Sequence, residues 1–344
     1  MTQSQHKFAS SRQPRPDSAF RRIVTSPRVV VGGTMLLTVI LLCLLTLPLT
    51  LNSSGTFYFD NQGIMVPRKA PFTGPDAQAS VNTTIAPAYS LVTFFGSDNL
   101  GRSIFSRCLL GGVISLAVGI AAATISVVLG VTVGLLAGYR GGWVDSSLMR
   151  FVDILYGLPY ILLVILFRIA FEKPLIEFFT FIQELLGISF SAAQIGNLVV
   201  LFFAIGLVSW LTMARVVRGQ VLSIRSQPFI EAARAAGLPE TRIFLRHILP
   251  NLVGPILVYT TLTIPQAILQ ESFLSFLGVG VSPPLPTWGS LAADALGPAL
   301  NPINSLWWML LFPCIFLVVT LLALNFLGDG LRDVFDPRRD QAKI

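Results

Sequence analysis

The segment EAARAAGLPETRIFLRHILP, Glu231 to Pro250, is a charged stretch with a glycine and two prolines, set between two long apolar runs. Ala232, Ala233, Ala235 and Ala236 are strong helix formers. Pro228 suits a first helical turn, and Ser226 is expected to cap it. Gly237 is placed to end that helix in the left-handed conformation. Pro239 then opens a second short helix, with Glu240 early and Arg246 and His247 late, as the helix dipole favours. Pro250 is expected to close it. Six arginines lie between Arg215 and Arg246. Each costs about 2.5–3.5 kcal/mol at a bilayer centre, so this elbow belongs in water. Its alanine-rich helix has small side chains that fit a groove on another protein. The Gly and Pro at its ends would pass force on to the flanking runs. An ordinary loop helix on the membrane surface is the competing reading, and the helix-glycine-helix pattern alone does not separate the two.

The apolar runs set the class. The chain of 344 residues is 53% hydrophobic and only 12% charged, with a mean hydropathy of +0.72. A soluble domain is nearer a quarter charged, so the expected class is an all-α integral membrane protein. The net charge of +7 sits in loops beside apolar spans, which is the pattern of cytoplasmic loops and not of a nucleic-acid partner. Cys43, Cys108 and Cys314 are far apart, lie in or beside apolar runs and read as packing residues. His6 and His247 make no two-histidine metal site, and no catalytic cluster is visible. Lys7, Lys69, Lys173 and Lys343 do not follow a glycine, so the chain has no P-loop. No cofactor is expected in this chain.

Six spans are expected, at 29–51, 109–138, 149–171, 197–217, 252–271 and 306–327. A basic tail, 1–28, precedes the first span, and an uncleaved first span is preferred to a signal peptide because its apolar core is too long. Eighteen of the 24 Lys and Arg residues fall in the tail, the 139–150 loop, the 215–250 region and the C-terminus. That asymmetry puts both termini in the cytoplasm. The expected organisation is therefore the tail 1–28, a first transmembrane helix 29–51, an external loop 52–106, a five-helix core 107–327 holding the cytoplasmic loop 218–250, and a tail 328–344. The external loop reads as irregular, without a core of its own. Residues 173–190 carry Glu177, Gln183 and Glu184 and read as an amphipathic helix on the outer surface.

Within the spans, Gly130, Gly134 and Gly138 recur every fourth residue and read as a close-packing face inside the bundle. Gln266 and Gln270 are four apart and share a face. They line either a translocation pathway or an interhelical hydrogen-bonded contact. Glu271 and Trp210 are the other pathway candidates, although Glu271, near an outer end, is also open to simple solvation. Pro159 with Tyr160 bends the third span, Ser209 and Thr212 add modest polarity to the fourth, and Arg168 lies near an outer helix end.

EAARAAG, nine residues, then HILP resembles the EAA loop of permease subunits in binding-protein-dependent ABC importers. It comprises Glu231, Ala232, Ala233, Gly237, His247, Leu249 and Pro250, with Ala236 beside the bend. GSDNLGRSIFSRCLLG, GYRGGWVDSSLMRFVDILYGLP, ESFLSFLGVGVSPPLPTWG and NFLGDGLRDVFDPR resemble the dipeptide/oligopeptide/nickel branch, specifically its C-type subunit. The resemblance covers about residues 94–170 and 197–339. It implies a type I ABC importer permease fold of six transmembrane helices in a bacterial inner membrane. The implied partners are a homologous B-type permease, two cytoplasmic ABC ATPases that grip the EAA helices and bind the ATP and Mg²⁺, an external solute-binding protein, and membrane lipid. The cargo implied is peptides, nickel chelates or some sugars. The loops at 52–106 and 172–196 are longer than usual in this branch. An ion-coupled secondary transporter is the alternative, and the near absence of ionisable residues in the span centres argues against it.

Overall fold

The computed structural model describes residues 24–47, 56–59, 65–68, 95–99, 102–187, 191–283, 285–303 and 305–335. Most of the basic tail, most of the loop 52–106 and the last nine residues lie outside them. The element order is α1 (Pro27–Leu45), β1 (Thr56–Phe59), β2 (Met65–Arg68), α2 (Ile104–Arg140), α3 (Gly142–Tyr156), α4 (Tyr160–Leu186), α5 (Ala192–Arg225), α6 (Pro228–Ala235), α7 (Glu240–Ile243), a π-helical turn (Phe244–Ile248), α8 (Leu249–Phe276), α9 (Trp288–Ala299) and α10 (Trp307–Phe335). In the loop expected to be irregular, β1 and β2 pair antiparallel, with Thr56 opposite Arg68. Among the described residues, five helices are long and apolar enough to cross a membrane, or six if α3 and α4 form one bent span.

The glycine face of α2 sets the core. A Cβ on Gly130 would meet Met213, one on Gly134 would meet Val217 and the Ala214 carbonyl, and one on Gly138 would meet Val221. Ile125 packs into Gly206 in the same sequence direction. Helices α2 and α5 therefore run parallel, packed backbone to backbone because lipid gives apolar helices no other reason to associate. Two parallel neighbours need a return crossing between them, and α3 with α4 supplies it. Helix α4 lies against α5 with Ile176 at Gly196. Helix α10 runs antiparallel to both α1 and α8, with Gly32 at Ala323, Gly330 at Val29, Gly254 at Phe335 and Gly328 at Leu262.

The third crossing, expected at 149–171 with a bend at Pro159 and Tyr160, is divided into two helices at that point. Helix α3 ends at Tyr156, and α4 leaves it at 98°. Pro159 is the cause, since it drives the residue before it out of the helical region. Helix α4 then runs unbroken through Pro174 to Leu186. Residues 173–186 continue that helix and are not a separate surface element. Arg218 grips Asp145 through two hydrogen bonds of 2.5 and 2.7 Å, and Arg215 reaches Asp153 at 2.7 Å while its guanidinium lies 3.9 Å above the Tyr156 ring. These contacts hold α3 across α5.

Arg28 pairs with Asp333 at 2.9 Å, so the start of α1 and the end of α10 share one end of the bundle with the elbow. The far end is locked by the GSDNLGRSIFSR segment. Asp98, almost fully buried, accepts from the Arg102 backbone and Nε and from Arg107 Nη1 at 2.8, 2.6 and 2.9 Å. Breaking a buried pair strands the remaining charge, at a cost of about 3 kcal/mol or more. Asp98→Asn should therefore lower the thermal stability of the purified complex clearly, and an unchanged melting curve would refute this role.

Candidate functional site

The elbow is built as the sequence suggests, with two differences. Helix α6 begins at Pro228, but its N-cap is Gln227 in extended conformation. Ser226 instead closes α5, its hydroxyl donating to the Ser223 carbonyl at 3.0 Å. At the other end Gly237 has φ +76°. The Gly237 amide donates to the Arg234 carbonyl at 2.9 Å and the Leu238 amide to the Ala233 carbonyl at 3.2 Å. Those two bonds make a Schellman motif, the termination that glycine permits at least strain.

The second difference lies at Pro250. It does not close the second helix. Glu240 to Phe276 forms one continuous helical unit through the π turn at 244–248. Proline has no amide proton to offer and its ring crowds the carbonyl four residues back. A wider turn relieves both problems, and the Leu249 amide donates to the Phe244 carbonyl, five residues away. The elbow is thus fused to the fifth span.

Helix α6 is anchored by one face only. Ile230 is fully buried with Val217, Val221, Ile243, Ile248 and Leu252, and Ala233 packs beside it. Tyr139 at the end of α2 pins the other arm. Its hydroxyl lies 2.8 Å from Glu240 Oε2, and Arg234 Nε donates to Glu240 Oε1 at 3.0 Å. Glu231, Ala232, Ala235, Ala236 and Gly237 are exposed, as is Phe229. Arg242 and Arg246 are also exposed and make no ion pair among the described residues. His247, Leu249 and Pro250 are placed in and after the π turn, where the His247 carbonyl accepts from Asn251 Nδ2 at 2.6 Å. They belong to the joint and not to the open face of α6.

The second candidate is a cleft of about 440 Å³ between the α3–α4 corner, α5 and α8. Gln266 and Gln270 both line it, with Ser209 and Thr212 from α5, Tyr160 from α4, and Thr263 and Tyr259 from α8. No formal charge lines it. A smaller cavity of about 260 Å³ adjoins it toward the elbow end, sharing Tyr259 and Leu262, with Gln220 and Arg332 at its wall. Two residues singled out with the glutamines are elsewhere. Trp210 is buried, and its backbone carbonyl faces Gly130. Glu271 is not solvated. It is fully buried and accepts from Ser275 Oγ at 2.6 Å and Thr287 Oγ1 at 2.8 Å. The reason is one residue of helical phase: Gln270 faces the cleft, and Glu271, turned about 100° away, faces the loop that folds back after α8. Thr287 also caps α9 through a reciprocal pair with Ser290. Beside it Trp288 is fully buried and donates to the Cys108 carbonyl at 2.9 Å. The ESFLSFLGVGVSPPLPTWG segment is therefore a packed knot at the far end. Sequence reasoning placed Glu271 among the pathway candidates and assigned the rest of the segment no task.

The family description "Binding-protein-dependent transport system inner membrane component" matches residues 130–341. The oligopeptide transport system permease protein OppC of Haemophilus influenzae is 41% identical over 78% of this chain and 77% of its own length. The dipeptide transport system permease protein DppC of Bacillus subtilis is 41% identical over 78% and 76%. OppC of Escherichia coli K12 is 43% identical over 80% and 82%. The ion-coupled alternative finds no support in this kinship. This chain belongs to the binding-protein-dependent transport system inner membrane components, in the branch of the C-type oligopeptide and dipeptide ABC permeases.

Proposed function

We propose that the chain is one half of the membrane pathway of an ATP-driven importer of peptides, oriented with both termini and the elbow in the cytoplasm. A homologous B-type permease completes the pathway. Two ABC ATPases supply the energy, and an external binding protein supplies the solute. The single observation that carries the docking part is the half-covered state of α6. Ile230 fixes it to the bundle while Glu231, Ala232, Ala236 and Gly237 stay open, beside Arg242 and Arg246, which make no ion pair among the described residues. A short helix with alanines outward lets a partner backbone come close, and its fusion to α8 carries any displacement into the fifth span. The absence of charge in the cleft suits a cargo of amide groups with varied side chains, which side-chain amides and hydroxyls can meet without selecting a sign.

The test is cross-linking. With cysteine in place of Ala236, the assembled transporter should yield a covalent adduct between this chain and an ATPase subunit under turnover. A cysteine at Gly297, on α9 at the far end with open space around it, should yield none. No adduct from position 236 in any nucleotide state would overturn the docking assignment.

A further inference from the structure

The cleft has an open end and a shut end. Toward the elbow it continues into the cavity walled by Gln220 and Arg332. Toward the far end it stops at Tyr160, whose hydroxyl donates to Gln270 Oε1 at 2.7 Å. That bond joins α4 to α8 across the cleft, between residues 110 apart in sequence. Beyond it Val164, Leu201, Ile205, Leu274 and Val281 fill the space as one apolar cluster. One turn further Arg168, with its side chain largely covered, donates to the carbonyls of Val279 and Gly280 and to Ser282 Oγ. Arg168 therefore holds the loop after α8 down onto α4. Apart from Tyr156 of α3, the other polar walls of the cleft come from α5 and α8, which pack against each other.

We propose that the Tyr160–Gln270 hydrogen bond is the latch that keeps the far end of the translocation cleft shut, with Arg168 as the positioning residue that seats loop 279–282 over it. The proposal rests on the reading of the cleft as the solute path. A solute arriving from the far side has to pass the Arg168-held loop and the apolar cluster, this bond is the last contact before Gln266, and α4 has to part from α8 for it to get through. The bond contributes only to the closed state, so its loss shifts the closed–open equilibrium toward open. A neutral hydrogen bond of this kind corresponds to about a fivefold shift. Because opening and ATPase closure are linked in the assembled importer, basal hydrolysis shifts in the same direction as opening.

The experiment uses the complete transporter with Gln266→Cys as reporter and Cys314→Ser to lower the background, Cys43 and Cys108 being buried. A membrane-impermeant thiol reagent is added from the far side, with and without ATP, and ATP hydrolysis is measured without the binding protein. Tyr160→Phe keeps the ring and its packing and removes only the hydroxyl. It should raise the labelling rate about fivefold and raise the basal hydrolysis with it. Gln270→Leu should do the same, and the double variant should add nothing to either single one. If the reporter is labelled on ATP in the parent but Tyr160→Phe changes neither rate, the latch is wrong and the pathway reading stands. If the reporter is unreactive in every state of parent and variants, the pathway reading fails and the latch with it.

Discussion

Valine in place of Gly237 should abolish most solute uptake while leaving the protein at normal abundance in the membrane. The residue sits at φ +76°. An L-residue there costs about 1–2 kcal/mol, and a β-branched one is a genuine outlier. Nothing lies within 4 Å of where its Cβ would be, so the substitution creates no clash and leaves the membrane-embedded packing alone. What it disturbs is the Schellman pair that ends α6 and sets its angle to α7. The strain is relieved by moving the only part free to move, the half-anchored α6. Uptake should fall by at least about tenfold, the equivalent of 1.4 kcal/mol, and ATP hydrolysis should persist without transport. Gly237→Ala should give a milder version of the same loss. Normal uptake by the valine variant would show that this bend is not needed for coupling.

Leucine in place of Gly134 should have the opposite signature, with little or no assembled protein. A Cβ at this position lies 2.6 Å from the Ala214 carbonyl oxygen and 2.8 Å from Val217 Cβ. The first of these is backbone, so rotamer changes cannot relieve it. Separating α2 from α5 far enough to admit a leucine would also disturb the contacts at Gly130 and Gly138. Overpacking of this kind typically costs about 1–3 kcal/mol and more when backbones must part. The yield of monodisperse detergent-solubilised complex should collapse. Gly33→Leu is the control, because a Cβ on Gly33 meets nothing within 4 Å, and its yield should match the parent. Equal yields for both variants would remove the α2–α5 seam as the organising contact.

The parts legible in the sequence are those governed by neighbours along the chain. The alanine run ending at Gly237 was readable because helix termination is a five-residue affair, and the shared face of Gln266 and Gln270 because helical spacing is fixed. The close-packing role of Gly130, Gly134 and Gly138 was readable as a type of surface, but its partners Met213, Val217 and Val221 were not, since nothing local encodes which helix approaches. The bend of the third span was readable from Pro159, but its 98° angle was not, since it depends on how Arg215 and Arg218 of α5 hold α3. Pro250 looked like a stop because a π turn, which accommodates it, leaves no compositional mark. Glu271 looked exposed because its partner Thr287 lies 16 residues on, beyond a loop whose return path depends on glycines packed against Ser272 and Ser275. Tyr160 was noticed for the bend beside it, and its bond to Gln270 depends on the tertiary fold alone.

The π turn at 244–248 carries one residue more than a regular helix would need to cover the same rise. That surplus residue sets the rotational phase between the elbow and the membrane-crossing part of the unit. Excising it would restore a regular helix and swing everything before it around the α8 axis by about 100°. The alanine face would then point toward a different quadrant with every side chain still present. The compass bearing of that face is therefore set by a count of residues in the turn behind it and not by the chemistry of the face itself.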